Sequence, residues 1–251
     1  MSSRTSMLIT GASGGIGRAT AIECASKGAA IGIHYHRNRD RAEATLDALS
    51  GDGHRLYQCD ITDPESVEDL INRAHEEFGG LDVLVNNAGI SKRHHFEDID
   101  YATWQKTWKT VVDTNLTSAS NLCFCAAKKM IAGGGGKIVN VSSRGAFRGE
   151  PLMPWYGASK AGMNAMGQSL AQALGPKGVF VYTVAPGFVE TEMAKSTLES
   201  PEGDNVRNQS SMGRVARPEE IAKTIAFLAF DAPAFMTGCI IDVNGASYLR
   251  S

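Results

Sequence analysis

Long hydrophobic runs are missing from this 251-residue sequence. Met1 to Ser6 is short and polar, and the apolar run after it is only a few residues long. That is too short for a signal-peptide core or a membrane span, so a cytoplasmic location is expected. Neither sign of charge dominates: 25 Lys and Arg stand against 27 Asp and Glu, interspersed, for a net charge of -2. This balance argues against a nucleic-acid footprint or a membrane-surface patch. Cysteine is scarce, five in all and scattered (Cys24, Cys59, Cys123, Cys125, Cys239), which argues against a disulfide framework. Cys123 and Cys125 sit two apart on a predicted helix and so point to different faces, and the six histidines are not in metal-ligand spacing. No metal is expected. Linkers are absent as well: there is no Pro- or Ser-rich stretch, and no low-complexity run longer than Gly133 to Gly136. One domain spanning 1–251 is the expectation.

What is present is a regular alternation. Short β-branched runs at Met7 to Thr10, Ala30 to His36, His54 to Asp60, Leu81 to Asn86, Lys137 to Ser142, Val179 to Ala185 and Cys239 to Val243 predict buried strands. Between them, helical patterns run over Gly17–Lys27, Arg41–Leu49, Pro64–Phe78, about Trp104–Met130, Tyr156–Leu174 and Pro218–Leu228. Continuous apolar strands alternating with helices predict a parallel sheet covered on both faces. Right-handed crossovers make it doubly wound, with ligands at the carboxyl ends of the strands. Gly11, Asp60, Asn86, Ser143 and Pro186 all fall at those ends.

Thr10 to Gly17 (TGASGGIG) joins the first strand to the first helix. Gly11, Gly14, Gly15 and Gly17 there permit a tight turn and close approach of a pyrophosphate to the helix N-terminus. The spacing is Gly-x3-Gly-x-Gly, and a flexible loop is the plainer alternative. The second strand ends in His34-Tyr35-His36-Arg37-Asn38-Arg39, with no acid before Asp40 to hold a ribose 2′-hydroxyl. Arg37 suits a 2′-phosphate instead, which favours NADP(H) over NAD(H); a solvated basic loop is the alternative. Asp60 is a candidate acceptor for an adenine amino group, or else a cap for the next turn, where Asp63 is the better cap.

Tyr156 and Lys160 stand at i and i+4, on one face of a helix. A nearby ammonium favours the phenolate, so Tyr156 is the candidate general acid/base. Ser143 ends the fifth strand 13 residues earlier, placed to hold a substrate oxygen. Alternation sends its neighbour Ser142 to the opposite side. Asn115 falls mid-helix, where Asn is unfavourable, and predicts a local irregularity with a polar role.

Together these residues resemble the short-chain dehydrogenase/reductase family: Thr10 to Gly17, Asp60, Asn86-Asn87-Ala88-Gly89, Asn115, Ser143, Tyr156-x3-Lys160 and Pro186-Gly187-x3-Thr191, in the family's order and across most of the chain. The resemblance implies a three-layer α/β Rossmann-type sheet of seven strands. It implies Ser143, Tyr156 and Lys160 as a catalytic trio, with Asn115 holding a water in a relay from Lys160. Lys160 is then also a ligand of the nicotinamide ribose. Asn87, Ala88 and Gly89 line the cofactor, and Val189 and Thr191, after Pro186 and Gly187, meet the nicotinamide amide. Ser13, Ile16, Tyr35 and Ile61, within the same stretches, complete the cofactor-binding candidates. The family's NADP members often carry a basic residue where this chain has Gly14.

Within the family the C-terminal part is most similar to 3-oxoacyl-acyl-carrier-protein reductases, through Pro186 to Met193, Gly213 to Ile221, Thr237-Gly238 and Asp242 to Gly245. These ends are shared with sugar and polyol dehydrogenases. A carbonyl reductase acting on 3-oxoacyl thioesters is the first expectation and a sugar or polyol dehydrogenase the second. A non-catalytic cofactor sensor is a remote third, since a sensor needs no acid/base apparatus. Arg144 to Trp155 is unusual for the reductases, and Arg144, Glu150 and Trp155 join Ser143 as substrate-side candidates. The polar, weakly periodic stretch from Ala194 to Met212, within 188–215, reads as a lid. Lys128, Lys129 and Lys177 are a candidate docking surface for an acyl carrier protein, or simply solvated helix ends. The small residues Ala158, Ala161, Gly162, Ala165, Gly167 and Ala171 on the Tyr156 helix, with the resemblance, imply a homodimer or homotetramer.

Overall fold

The computed structural model describes residues 4–250. Seven parallel strands form one sheet: β1 (Ser6–Ile9), β2 (Ala30–Tyr35), β3 (Arg55–Gln58), β4 (Val83–Asn86), β5 (Gly136–Val141), β6 (Val179–Pro186) and β7 (Ile240–Val243), in the order β3-β2-β1-β4-β5-β6-β7. β1, β2 and β4 are buried at every position, which is why they read as unbroken apolar runs. Alternate side chains serve opposite faces. Met7 and Ile9 pack with Ile221 and Ile225 on one side of the sheet. Leu8 packs with Leu70, Ile71 and Leu122 on the other. Helices α1 (Gly15–Ser26), α2 (Arg39–Leu46) and α10 (Pro218–Phe230) flank the sheet together with α3 (Pro64–Phe78), α4 (Tyr101–Val112), α5 (Ser118–Ala132) and α7 (Pro154–Leu174). The three-layer, doubly wound architecture is the expected one.

Local chemistry explains the boundaries. α3 begins where Asp63 Oδ2 accepts from the Ser66 N–H at 3.3 Å and ends at left-handed Gly79. α2 starts earlier than its apolar pattern suggests, because Asn38 Oδ1 accepts from the Arg41 N–H at 3.0 Å. α4 and α5 are one helical rod interrupted by a π-turn at Asp113–Thr117, so the irregularity expected at Asn115 is real. The segment 188–215 is more ordered than its weak periodicity suggested. It contains α8 (Glu192–Leu198) and α9 (Gly203–Asn208), helices too short to show a period, anchored by buried Ala194, Thr197 and Val206. A single turn, α6 (Gly145–Arg148), follows β5.

The strand order reverses at β1, which lies between β2 and β4. Parallel strands bring all their carboxyl ends to one edge, and the reversal opens a crevice there.

Candidate active site

The turn after β1 is built around backbone approach. Gly11 has φ 64, and a Cβ on it would lie 3.0 Å from the Cα of Ala88. A Cβ on Gly17 would lie 2.5 Å from both the Gly11 carbonyl oxygen and Asn87 Nδ2. Asn87 Nδ2 donates to the carbonyls of Thr10 (2.8 Å) and Gly11 (3.2 Å), while Thr10 Oγ1 accepts from the N–H groups of Asn87 and Ala88, both at 3.0 Å. β1 and β4 are thereby locked at the crevice. Buried His34 adds β2 and the strand beyond: Nδ1 accepts from the Gly11 N–H and Nε2 meets the Cys59 carbonyl, each at 3.2 Å. Burial pushes its pKa down to about 4, so the ring is neutral. Gly14 caps α1 without any side-chain hydrogen bond, leaving the first-turn N–H groups of Gly15, Ile16 and Gly17 without a side-chain partner. Such a helix end fits a pyrophosphate. Half-buried Ser13 lies in the same turn. Across the crevice, Thr191 Cγ2 would be 3.2 Å from a Cβ on Gly15, so the segment after β6 closes over the turn. That segment is held by the Val189–Ala216 bridge, by Pro186, whose carbonyl accepts from Arg144 N–H at 2.8 Å, and by Gly187, where a Cβ would lie 3.0 Å from Asn244 Cα.

The adenosine end differs in part from expectation. Asp60 Oδ1 accepts from the N–H and hydroxyl of Thr62 at 2.9 and 2.7 Å, which hold its carboxyl below its ordinary pKa; His36 and Arg37 add to this. Exposed Arg37 is therefore near Asp60, at the crevice rim. Two candidates are corrected: the side chains of Tyr35 and Ile61 are buried in the two core clusters, Tyr35 by alternation along β2 and Ile61 in the turn after β3, so only their backbone is available. One residue was missed. Arg41, in the first turn of α2, lays its guanidinium over the glycine turn, with Nη2 where a Cβ of Gly14 would stand. The basic group absent from position 14 is supplied from the neighbouring helix. The signal was available in principle: a helix that follows β2 overhangs the turn that follows β1.

The chemical end brings Ser143, Tyr156, Lys160 and Asn115 together. Lys160 is buried and its Nζ donates to the Val141 carbonyl at 2.8 Å; burial pushes its pKa down to about 8. Nζ lies 5.9 Å from the Tyr156 ring centroid. Burial raises the Tyr156 phenol, the Ser143 hydroxyl opposes that shift, and Glu150 adds to it. The expected lowering by Lys160 is thus not what dominates in the free protein; desolvation wins. Ser142 Oγ turns away to the Lys160 carbonyl at 3.2 Å, as alternation requires. Fully buried Asn115 spends its side chain on Ile90, accepting from its N–H at 2.8 Å and donating to its carbonyl at 2.9 Å, with a further bond to Ser159 Oγ at 3.1 Å. The π-turn aims it there. A Cβ on Gly89 would lie 3.2 Å from Asn115 Oδ1 and 3.5 Å from Lys160 Nζ, so glycine lets the three converge.

On the loop after β5, Glu150 folds against Gly145 and pairs with Arg148 at 3.3 Å. A groove of about 470 Å³ runs past Arg148, Glu150, Pro151 and Gly157. Trp155 is a correction: it is fully buried, donates Nε1–H to the Lys92 carbonyl at 2.8 Å and packs edge-on against His94 and Trp104. It supports the loop from beneath rather than facing a ligand. Arg144 is buried too, beside the segment that carries α8 and α9, and its guanidinium lies 5.1 Å from the Phe188 ring. Missed here were Gln209, which both Arg144 and Arg148 contact, and Arg93, which reaches Thr197 Oγ1 at 2.8 Å and Glu202 at 2.9 Å. These contacts span more than 60 residues of sequence and left no local signal.

A family model described as enoyl-(acyl carrier protein) reductase matches residues 11–246. The 3-oxoacyl-[acyl-carrier-protein] reductase FabG of Vibrio cholerae is 37% identical over 242 residues, covering 96% of each chain. The L-rhamnose 1-dehydrogenase (NAD(P)(+)) of a Sphingomonas species is 37% identical over 248 residues, covering 97% of this chain and 96% of the other. Among solved structures, a putative gluconate dehydrogenase from Agrobacterium tumefaciens superposes with a TM-score of 0.89 at 32% identity, covering 97% of this chain and 95% of that one. With full-length relatives on both the reductase and the sugar-dehydrogenase side, and a nucleotide crevice leading to a Tyr–Lys pair, the chain belongs to the short-chain dehydrogenase/reductase family of oxidoreductases.

Proposed function

We propose that the protein is an NADP(H)-dependent oxidoreductase that interconverts a carbonyl and a secondary alcohol, with 3-oxoacyl thioesters as the leading substrate class. The observation that carries the reading is the convergence of Lys160 and Asn115 on Gly89 at the end of the crevice, with the Tyr156 ring centroid 5.9 Å from Lys160 Nζ and the Ser143 hydroxyl hydrogen-bonded to the phenol. Bound NADP(H) would supply or accept the hydride. Ser143 holds the substrate oxygen, and Tyr156 passes a proton to or from it. Lys160 binds the nicotinamide ribose, and with Asn115 and a water it connects Tyr156 to solvent. Gly15 to Gly17 receive the pyrophosphate, while Asn87 to Gly89, Val189 and Thr191 border the nicotinamide. Arg37 and Arg41 at the rim support a 2′-phosphate and hence NADP(H); NAD(H) is the alternative.

The thioester reading draws on the FabG relatives, and an acyl carrier protein would then dock near Lys128, Lys129 and Lys177. Ala158, Ala161 and Ala165 lie exposed along α7, a surface on which a second copy packs closely in a homodimer or homotetramer. A sugar or polyol dehydrogenase is the second reading, favoured by the charged loop Arg144, Arg148 and Glu150. The test is the absorbance of NADPH, and separately NADH, with a short 3-oxoacyl thioester. Consumption of NADPH supports the first reading. No turnover there, with NADP⁺ reduced by sugars or polyols, replaces it with the second.

A further inference from the structure

Arg144 is the least expected charged residue in the molecule. It is 2% exposed, and among the described residues no carboxylate lies within ion-pair distance of it. Its guanidinium is met by the face of Phe188 and by one neutral oxygen, Gln209 Oε1. Arg148 Nη1 donates to that same oxygen at 3.1 Å. Two cations thus converge on one carboxamide, with Glu150 the one acid nearby, paired to Arg148 from the other side. Burying a cation without an anion is costly, and a site that keeps one has a use for it. The acceptor is also replaceable. Gln209 follows the last turn of lid helix α9 and is itself exposed, so packing does not hold it in place. Beside Arg144, a cavity of about 120 Å³ opens between Phe188, Ser210 and Asn244, room for a few atoms beyond a single water. The whole arrangement begins one residue after Ser143.

We propose that Arg144 and Arg148, on the loop that follows Ser143, form a carboxylate-binding subsite, with the Gln209 carboxamide standing in for the carboxylate when no substrate is bound. A carboxamide and a carboxylate share one planar shape and nearly one size, so the group that takes the place of the Gln209 carboxamide is a carboxylate rather than a larger, tetrahedral phosphate. The carbonyl-bearing part of the substrate therefore carries a free carboxylate at the end away from the reacting carbon, as in an oxo acid, a sugar acid or the half-thioester of a dicarboxylic acid. This rests on the oxidoreductase reading above and narrows its substrate class.

The test is calorimetric titration of the NADP⁺-loaded protein with glutarate, against dimethyl glutarate as the neutral control and inorganic phosphate as the tetrahedral one. Glutarate is expected to bind at least about tenfold more tightly than either. Gln209→Glu places a permanent carboxylate between the arginines, and Arg148→Gln removes one cation at a half-exposed position; each should weaken glutarate about tenfold or more. Tyr156→Phe should leave glutarate binding intact, which separates this proposal from the catalytic one: loss of turnover without loss of binding bears on the chemistry alone. Equal affinity for glutarate and its diester, tighter binding of phosphate, no glutarate binding by the wild type, or unchanged binding in both Gln209→Glu and Arg148→Gln would overturn the subsite.

Discussion

The turn after β1 and the loop after β5 both leave a buried strand at the same edge of the sheet, yet they are built from different materials. The first is made of backbone: glycines set by close approach, N–H groups without side-chain caps, and the Thr10–Asn87 bonds that tie β1 to β4. The second is made of long side chains, with Arg148 paired to Glu150 and both Arg144 and Arg148 reaching Gln209 after α9. A backbone cradle holds a part of a ligand that is the same in every reaction. Side chains can be exchanged without refolding the loop, so this end of the crevice can change what it recognises while the fold stays the same.

Several experiments sharpen this contrast. The largest expected effect concerns His34, which braces the cradle. Its folded pKa is about 4 against an ordinary 6.5, so the unfolded chain binds more protons between those values and stability falls as pH drops through that window. The loss is about 3 kcal/mol in all, complete below pH 4. In urea titrations across pH 4 to 7, His34→Gln should remove that part of the slope; an identical slope in the variant would show that other groups produce it.

Next come two glycines that look alike in distance. Gly17→Ala drives a methyl into a carbonyl oxygen and Asn87 at 2.5 Å, and should cost about 1–3 kcal/mol along with cofactor affinity. Gly14→Ala meets only the movable end of Arg41 and should change stability by less than about 0.5 kcal/mol. Melting curves of the two variants decide it; equal losses would mean the turn is not rigid in the way described.

At the rim, Arg37→Asp and Arg41→Gln should each lower the NADPH over NADH ratio in kcat/KM by about tenfold or more, as removal of one charge-assisted phosphate contact does. An unchanged ratio in both would remove the 2′-phosphate assignment. The smallest effect is Arg93→Ala. Its bond to Glu202 is partly exposed and should contribute less than about 1 kcal/mol to stability, while KM rises as the lid loses an anchor. A large drop in melting temperature would make Arg93 a structural residue instead.

The same contrast explains what could be read in advance. The strands, the glycine turn, Asn115 in its helical defect and the Tyr156–Lys160 pair follow from local rules of burial, turn geometry and helical spacing. Tyr35 and Ile61 lie in stretches that border the crevice, yet alternation along β2 turns Tyr35 into one core cluster and the turn after β3 packs Ile61 into the other. Trp155 belongs to the unusual segment Arg144 to Trp155, which makes it a pocket candidate, although its ring packs beneath the loop. Arg41 and Gln209 act across space, on a turn 27 residues away and on arginines 61 and 65 residues away, where no periodicity reaches.

The account turns on Tyr156 as the proton carrier. The most direct measurement is single-turnover NADPH oxidation by the wild type and Tyr156→Phe with the best substrate found, alongside NADPH affinity from fluorescence. The account predicts a rate lower by about 100- to 10,000-fold with affinity little changed. A variant that keeps the wild-type rate would contradict it and move the proton transfer to another group.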